Sequence, residues 1–251
     1  LQRYGAQRRR SGHLPYGAGC DASSDTADSG ESRGHRRRVR PTGDLSADEP
    51  HSARLGEMDR SVIDVKAYED FYHQILREHE SVFAAQDQTQ LEAALAEIAA
   101  AGRIFVIGVG REGIAARSFA MRLMHLGKEV HWLWDDTTPG MTTGDLLIAV
   151  NGSGCIGHID YLLDQAEKTG ARRLVITGAP AERTPSEAEV SLFVPAMVYK
   201  GTDPRTIPSK QPMGNLFEQH LFLLFDLMVM LLVDRLHETP QTMEARHRNI
   251  E

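Results

Sequence analysis

A short apolar run, Leu146 to Val150, stops abruptly at Asn151-Gly152-Ser153-Gly154, and a segment with helical spacing follows, with Ile159, Leu162, Leu163 and Ala166 on one face. A run this short and this uniformly apolar reads as a strand buried on both faces, delivering its C-terminal end into a tight turn and a helix N-terminus. Such a turn exposes backbone N–H groups, and the helix dipole favours negative charge there, so an anion is the expected guest.

The same grammar repeats. Arg103 to Ile107 is a second buried run, followed by Gly108-Val-Gly110-Arg111-Glu112-Gly113 and a helix to about residue 126. Further strands are expected over 129–134, 173–177 and 190–194, with helices over 61–85 and 90–101 and a third, following the loop 151–158, to 169. Strands alternating with helices predict an α/β fold: a three-layer sandwich with a five-stranded parallel sheet, flavodoxin-like or Rossmann-like, helices on both faces. Ligands of such sheets bind beyond the carboxyl ends of the strands. Here those ends are 108–113, 135–139, 151–158 and 177–180, which are expected to converge on one pocket. Trp132 and Trp134 alternate along one strand and are expected to face opposite layers.

Residues 1–57 contain no Lys, Ile, Phe, Trp or Met, carry ten Arg against eight acids, and show no apolar period. That composition predicts a disordered leader, and with the first Met at Met58 it reads as an upstream region outside the true start. No secretory h-region precedes it, and Cys20 and Cys155 imply no disulfide framework, so the expected compartment is cytoplasmic. Residues 58–251 hold 27 acids against 18 bases, which argues against nucleic acid and for a small metabolite. One domain, 58–251, is expected. Its apolar stretch 221–233 is too short to span a bilayer. Being apolar nearly all round, it calls for cover on both sides, and a second subunit packed on helix 212–236 is the expected cover. The histidines show no ligand spacing, so no metal is expected, and Cys155 reads as a small buried filler.

Gly108-x-Gly110-x-x-Gly113, with Asp135 22 residues on, also fits a dinucleotide site. Against that reading, no second domain is left to hold a hydride acceptor, and the loop 151–154 has no role in it.

Four stretches carry a resemblance: Gly144 to Gly154, Phe119-Ala-Met-Arg-Leu-Met-His-Leu-Gly127, Gln211-Pro-Met-Gly-Asn-Leu-Phe-Glu-Gln219 and Arg246-His-Arg-Asn-Ile-Glu251. Together they resemble the sugar isomerase (SIS) domain family, and within it the 6-phospho-3-hexuloisomerases. The resemblance implies a cofactor-free ketose isomerase, a homotetramer built as a dimer of dimers. It would interconvert 3-hexulose 6-phosphate and fructose 6-phosphate through a cis-enediolate, as in ribulose monophosphate type formaldehyde assimilation.

It further implies a phosphosugar site at Gly110, Arg111, Asn151, Gly152, Ser153 and Gly154. Glu218 would be the proton-moving carboxylate, and His247 a tail histidine acting in its own or a neighbouring subunit. The alternatives are a non-catalytic SIS module that senses a sugar phosphate and an isomerase for another phosphorylated sugar. Those alternatives rest on departures from the family pattern. Cys155 and Ile156 stand where the loop usually offers polar donors, and Glu112 stands where the first loop usually offers a Ser. Unless Glu112 points away it opposes a phosphate, with His158 as a compensating neighbour.

Overall fold

The structure, a computed structural model, describes residues 63–201 and 203–250. The expected leader over 1–57 lies outside the described residues.

The first two helices begin where a side chain satisfies their open N–H groups. α1 (Val65–Ala85) is capped by Asp64 Oδ1, which accepts from the N–H of Lys66 at 3.0 Å and of Ala67 at 3.3 Å. Asp87 does the same for α2 (Gln88–Ala100). There follow β1 (Arg103–Gly108), α3 (Gly110–His125), β2 (Glu129–Trp132), β3 (Leu146–Val150) and α4 (Gly157–Thr169), which ends on left-handed Gly170. β4 (Arg172–Thr177), a one-turn α5 (Arg183–Ser186), β5 (Val190–Phe193), a 3-10 turn (Pro212–Gly214), α6 (Asn215–Arg235) and α7 (Pro240–Ala245) complete the chain.

All five strands are parallel, in the order β2-β1-β3-β4-β5. The chain leaves β1 to one side for β2 and to the other for β3, so the crevice at their carboxyl ends is a topological switch point. Alternate side chains divide the core. Ile104, Val106, Ile148, Val150, Leu174 and Ile176 face α2, α3 and α6, whose Phe119, Phe217, Leu221 and Phe225 are buried. Phe105, Ile107, Leu147, Ala149 and Val175 face α4 through Ile159, Leu163 and Ala166.

One expectation is corrected. The second strand stops at Trp132, because the chain turns over 133–138 and Thr138 Oγ1 donates to the Trp132 carbonyl at 2.8 Å. Trp134 therefore sits in the turn, 53% exposed and edge-on to Trp132, and not on an opposite layer. Helix α6 is buried on one side only: Phe222, Leu223, Met230 and Leu231 remain exposed. With the 3-10 turn it is long and apolar enough to cross a membrane by length and composition, but here its other side forms the core. Arg103 clamps the far end of the sheet, its guanidinium bonding both carboxylate oxygens of buried Asp145 at 3.0 and 2.6 Å.

Between α1 and α6 lies a pair that helical periodicity does not signal. His79 Nδ1 and His220 Nδ1 are 3.2 Å apart, and His220 is fully buried against Phe83. Burial, then the neighbouring His79, holds His220 down at about 3. Unfolded, the same ring takes a proton near pH 6.5, so between those values the unfolded chain binds the extra proton and stability falls with falling pH. Stability at pH 5 is expected to be about 1–2 kcal/mol below that at pH 7 from this residue alone. Urea titrations of the native chain and of His220→Gln at both pH values would measure it; parallel losses in the two proteins would assign the acid sensitivity elsewhere.

Candidate active site

The loops beyond β1, β3 and β4 and the start of α6 close on one another. Gly178 N–H donates to the Gly152 carbonyl at 3.1 Å, and Thr184 N–H to the Gly154 carbonyl at 2.8 Å. The turn after β2 joins through Trp134, whose ring lies 5.7 Å from that of His158, and through Asp135, 3.8 Å from Arg117. The strand ends thus meet at the switch point, as expected from the alternation of strands and helices.

The loop after β3 is organised from beneath. Asn151 is fully buried; its Oδ1 accepts from Gly154 N–H at 3.0 Å and Ser153 Oγ at 3.3 Å. Its Nδ2 donates to Thr184 Oγ1 at 2.8 Å, and that hydroxyl donates to Asp160. Asn151 was expected to hold the ligand, but its side chain is spent inside the protein, so its part is to shape the turn. Gly152 and Gly154 are buried and Ser153 half-buried at the surface of this turn. Helix α4 begins with no side-chain cap, so its first N–H groups are open to an anion.

Opposite stands α3. Gly110 is exposed at its start and Arg111 projects outward. Gly113 touches the end of β1 so closely that a Cβ there would lie 2.6 Å from the Gly108 carbonyl oxygen, which brings the first turn of the helix against the loops. Arg111 donates to Asn215 Oδ1, and its Nη1 lies 2.8 Å from Glu218 Oε2. That contact is an ion pair without the alignment of a hydrogen bond, and the oxygen is otherwise buried without a donor. Glu218 is held in place from below by α6, where Phe217 is fully buried and faces Gly152 and Gly178.

Glu112 does not point away. Its Oε2 accepts from Gly152 N–H at 2.9 Å. Burial, opposed by that hydrogen bond and reinforced by the charge of Glu218, pushes it up to about 7. His158 is exposed on the first turn of α4, its ring beside that of Trp134.

His247 is elsewhere. Its ring stacks on His125 at 5.3 Å, and Arg246 Nη1 donates to the His125 carbonyl at 2.8 Å. His125 ends α3 and Arg111 begins it, so at 1.5 Å per residue they are roughly 20 Å apart. Within one chain His247 and Glu218 lie at opposite ends of the sheet. Cys155, expected as a buried filler, is half-buried and is not a free thiol. No group of three His, Cys, Asp or Glu suited to a metal occurs among the described residues.

Asn215 and Phe217 were not anticipated as site residues. The signal lay in Asn215, one helical turn before Glu218, and in Phe217 beside it, which periodicity alone reads as packing.

The SIS domain family model matches residues 97–200. The 3-hexulose-6-phosphate isomerase of Mycobacterium gastri is 36% identical over 168 residues, covering 67% of this chain and 83% of that one. The 3-hexulose-6-phosphate isomerase of Bacillus subtilis is 30% identical over 182 residues, covering 72% and 98%. A crystal structure of a hypothetical protein from Methanococcus jannaschii, from which a function of 3-hexulose-6-phosphate isomerase was inferred, superposes with a TM-score of 0.63 at 25% identity, covering 72% and 99%. Glu218 and His247 both lie beyond the span that the family model matches. Fold, loop architecture and relatives agree, and the chain belongs to the SIS domain family.

Proposed function

We propose that the chain is a sugar-phosphate ketose isomerase interconverting 3-hexulose 6-phosphate and fructose 6-phosphate. The observation that carries this reading is Glu218: a half-buried carboxylate at the switch point, paired with Arg111, with one oxygen that no hydrogen-bond donor satisfies. The relatives in M. gastri and B. subtilis supply the substrate class.

Moving the carbonyl from C3 to C2 requires a base to remove the C2 proton, an enediolate, and return of a proton to C3. One carboxylate on the correct face of a cis-enediolate performs both transfers. That Glu218 oxygen is held by the ion pair with Arg111 alone and by no hydrogen bond, so only the ion pair has to yield before it accepts the proton. Arg111 lies where its charge stabilises the developing oxyanion. With O6 phosphorylated, the 3-ulose cannot close a five-membered ring and is presented open-chain, so no ring-opening group is required in the direction from the 3-ulose to fructose 6-phosphate. Ser153 and the open first turn of α4 supply donors for the phosphate.

The protein works in this reading as a cytoplasmic homo-oligomer, a dimer of dimers. The exposed side of α6, with Phe222, Leu223, Met230 and Leu231, and the exposed Tyr68, Phe71 and Leu76 of α1 form the apolar cover that a second copy would share. Such an assembly is what would bring His247 of one chain near the Glu218 of another. Light scattering on the eluting protein is expected to give four times the chain mass, and a monomer would remove both the cover and that role of His247.

Incubation with fructose 6-phosphate in D₂O tests the activity directly. Deuterium is expected at C3, with a 3-ulose product growing in by NMR. A thermal shift with the sugar but no exchange would instead make the protein a non-catalytic sensor.

A further inference from the structure

Two N–H groups of the loop after β3 are already taken. That of Gly154 goes inward to Asn151, and that of Gly152 goes to Glu112 Oε2 at 2.9 Å. The other carboxylate oxygen lies against the Gly152 backbone, where a Cβ would collide with it, and Phe217 closes the same spot, 2.8 Å from that Cβ position. The carboxylate is seated on the turn as an incoming anion would be, and the chain itself supplies it.

We propose that Glu112 is the specificity-determining residue of this subsite, an internal anion that competes with the ligand's phosphate for the turn, so that phosphate binds well only once Glu112 carries a proton. The proposal deepens the sugar-phosphate reading of the loop and rests on it.

The charges around Glu112 decide how it behaves. From α6 comes Glu218, whose negative charge disfavours a second anion; from its own helix comes Arg111, already paired with Glu218 at 2.8 Å. The loop after β3 presents an N–H and no charge, and Glu182, beyond β4, lies against Gly154 on the far side of the turn. The first turn of α3 favours the ionised form, as any helix N-terminus does, and burial opposes it. With Glu112 near 7, the balance tips within the neutral range. Protonated, the carboxyl can donate to a phosphate oxygen; ionised, it repels one. Phosphate affinity therefore falls as pH rises through neutrality. A phosphate's own second ionisation, near pH 6, would by itself strengthen binding to a ring of donors over the same range.

The test titrates inorganic phosphate by calorimetry into the full chain, Glu112→Ser and Glu112→Gln at pH 6 and pH 8. At pH 8 both variants are expected to bind phosphate about tenfold tighter than the native chain, one unit of pKa-scale interaction. At pH 6, where native Glu112 is largely protonated, the three should agree within about threefold. Glu112→Gln keeps the shape of the side chain and carries the test if the serine variant does not fold. Equal affinities at pH 8, a gain of the same size at both pH values, or no phosphate binding by any of the three proteins would overturn the proposal. The readout needs no turnover. A pH-dependent gain in phosphate affinity without isotope exchange from fructose 6-phosphate would leave Glu112's role standing and remove the isomerase.

Discussion

Glu218→Gln is expected to lower kcat by about 10²–10⁴-fold with little change in KM, the loss typical of removing a positioned general base. The substitution is nearly isosteric and leaves Phe217 and Leu216 of α6 buried as before, so the fold should survive. What disappears is the carboxylate assigned to accept the C2 proton. Arg111, now facing an amide, keeps its bond to Asn215 and still stands where the oxyanion would form. Binding of the sugar phosphate should therefore persist while deuterium incorporation at C3 is lost. Glu218→Asp, which withdraws the carboxylate by one methylene, is expected to fall between the two. Native-like exchange in the Gln variant would mean that another group moves the proton, and Glu112, the carboxylate seated on Gly152, would be the first to test.

Phe217→Ala is expected to destabilise the domain by about 3–5 kcal/mol, the usual cost of emptying a fully buried phenylalanine site. In a domain of this size that corresponds to a fall in melting temperature of roughly 10 °C or more. The ring fills the space between α6 and the loops after β3 and β4, where Gly152 and Gly178 have no side chains; a Cβ on Gly178 would come within 3.3 Å of it. Removing it should also loosen the carboxylate next in sequence, so kcat is expected to fall even at temperatures where the variant is folded. A thermal melt paired with single-temperature kinetics separates the two effects. A stable variant with unaltered kcat would show that the loops hold their positions without the ring.

Much of this was legible before folding was considered. The apolar runs 103–107, 146–150 and 173–177 are each too short and too uniform for an amphipathic helix, and they became β1, β3 and β4 with boundaries shifted by a residue at most. Gly170 after α4 and the glycines 108, 110 and 113 mark backbone conformations or close approaches that local chemistry dictates. The short helix α5 was not legible, because four residues carrying Pro185 show no period. The end of β2 was misplaced for a similar reason: Trp134 has strand propensity, and only the bond from Thr138 to Trp132 reveals the turn.

By itself, then, the sequence determined the parallel sheet, the anion-seeking turn at 151–154 and the motifs that place the chain in its family, since all of these rest on local periodicity and backbone chemistry. Only the tertiary structure decided what each polar side chain does at that turn. It sent Asn151 inward to Thr184, 33 positions away, and laid Glu112 on Gly152, 40 positions away. It joined Arg111 to Glu218 across 107 positions and carried His247 to the opposite end of the sheet. The reason is physical: whether a carboxylate or an amide faces ligand or protein depends on which donors and charges surround it, and those arrive from segments whose separation along the chain has no bearing on their distance in space.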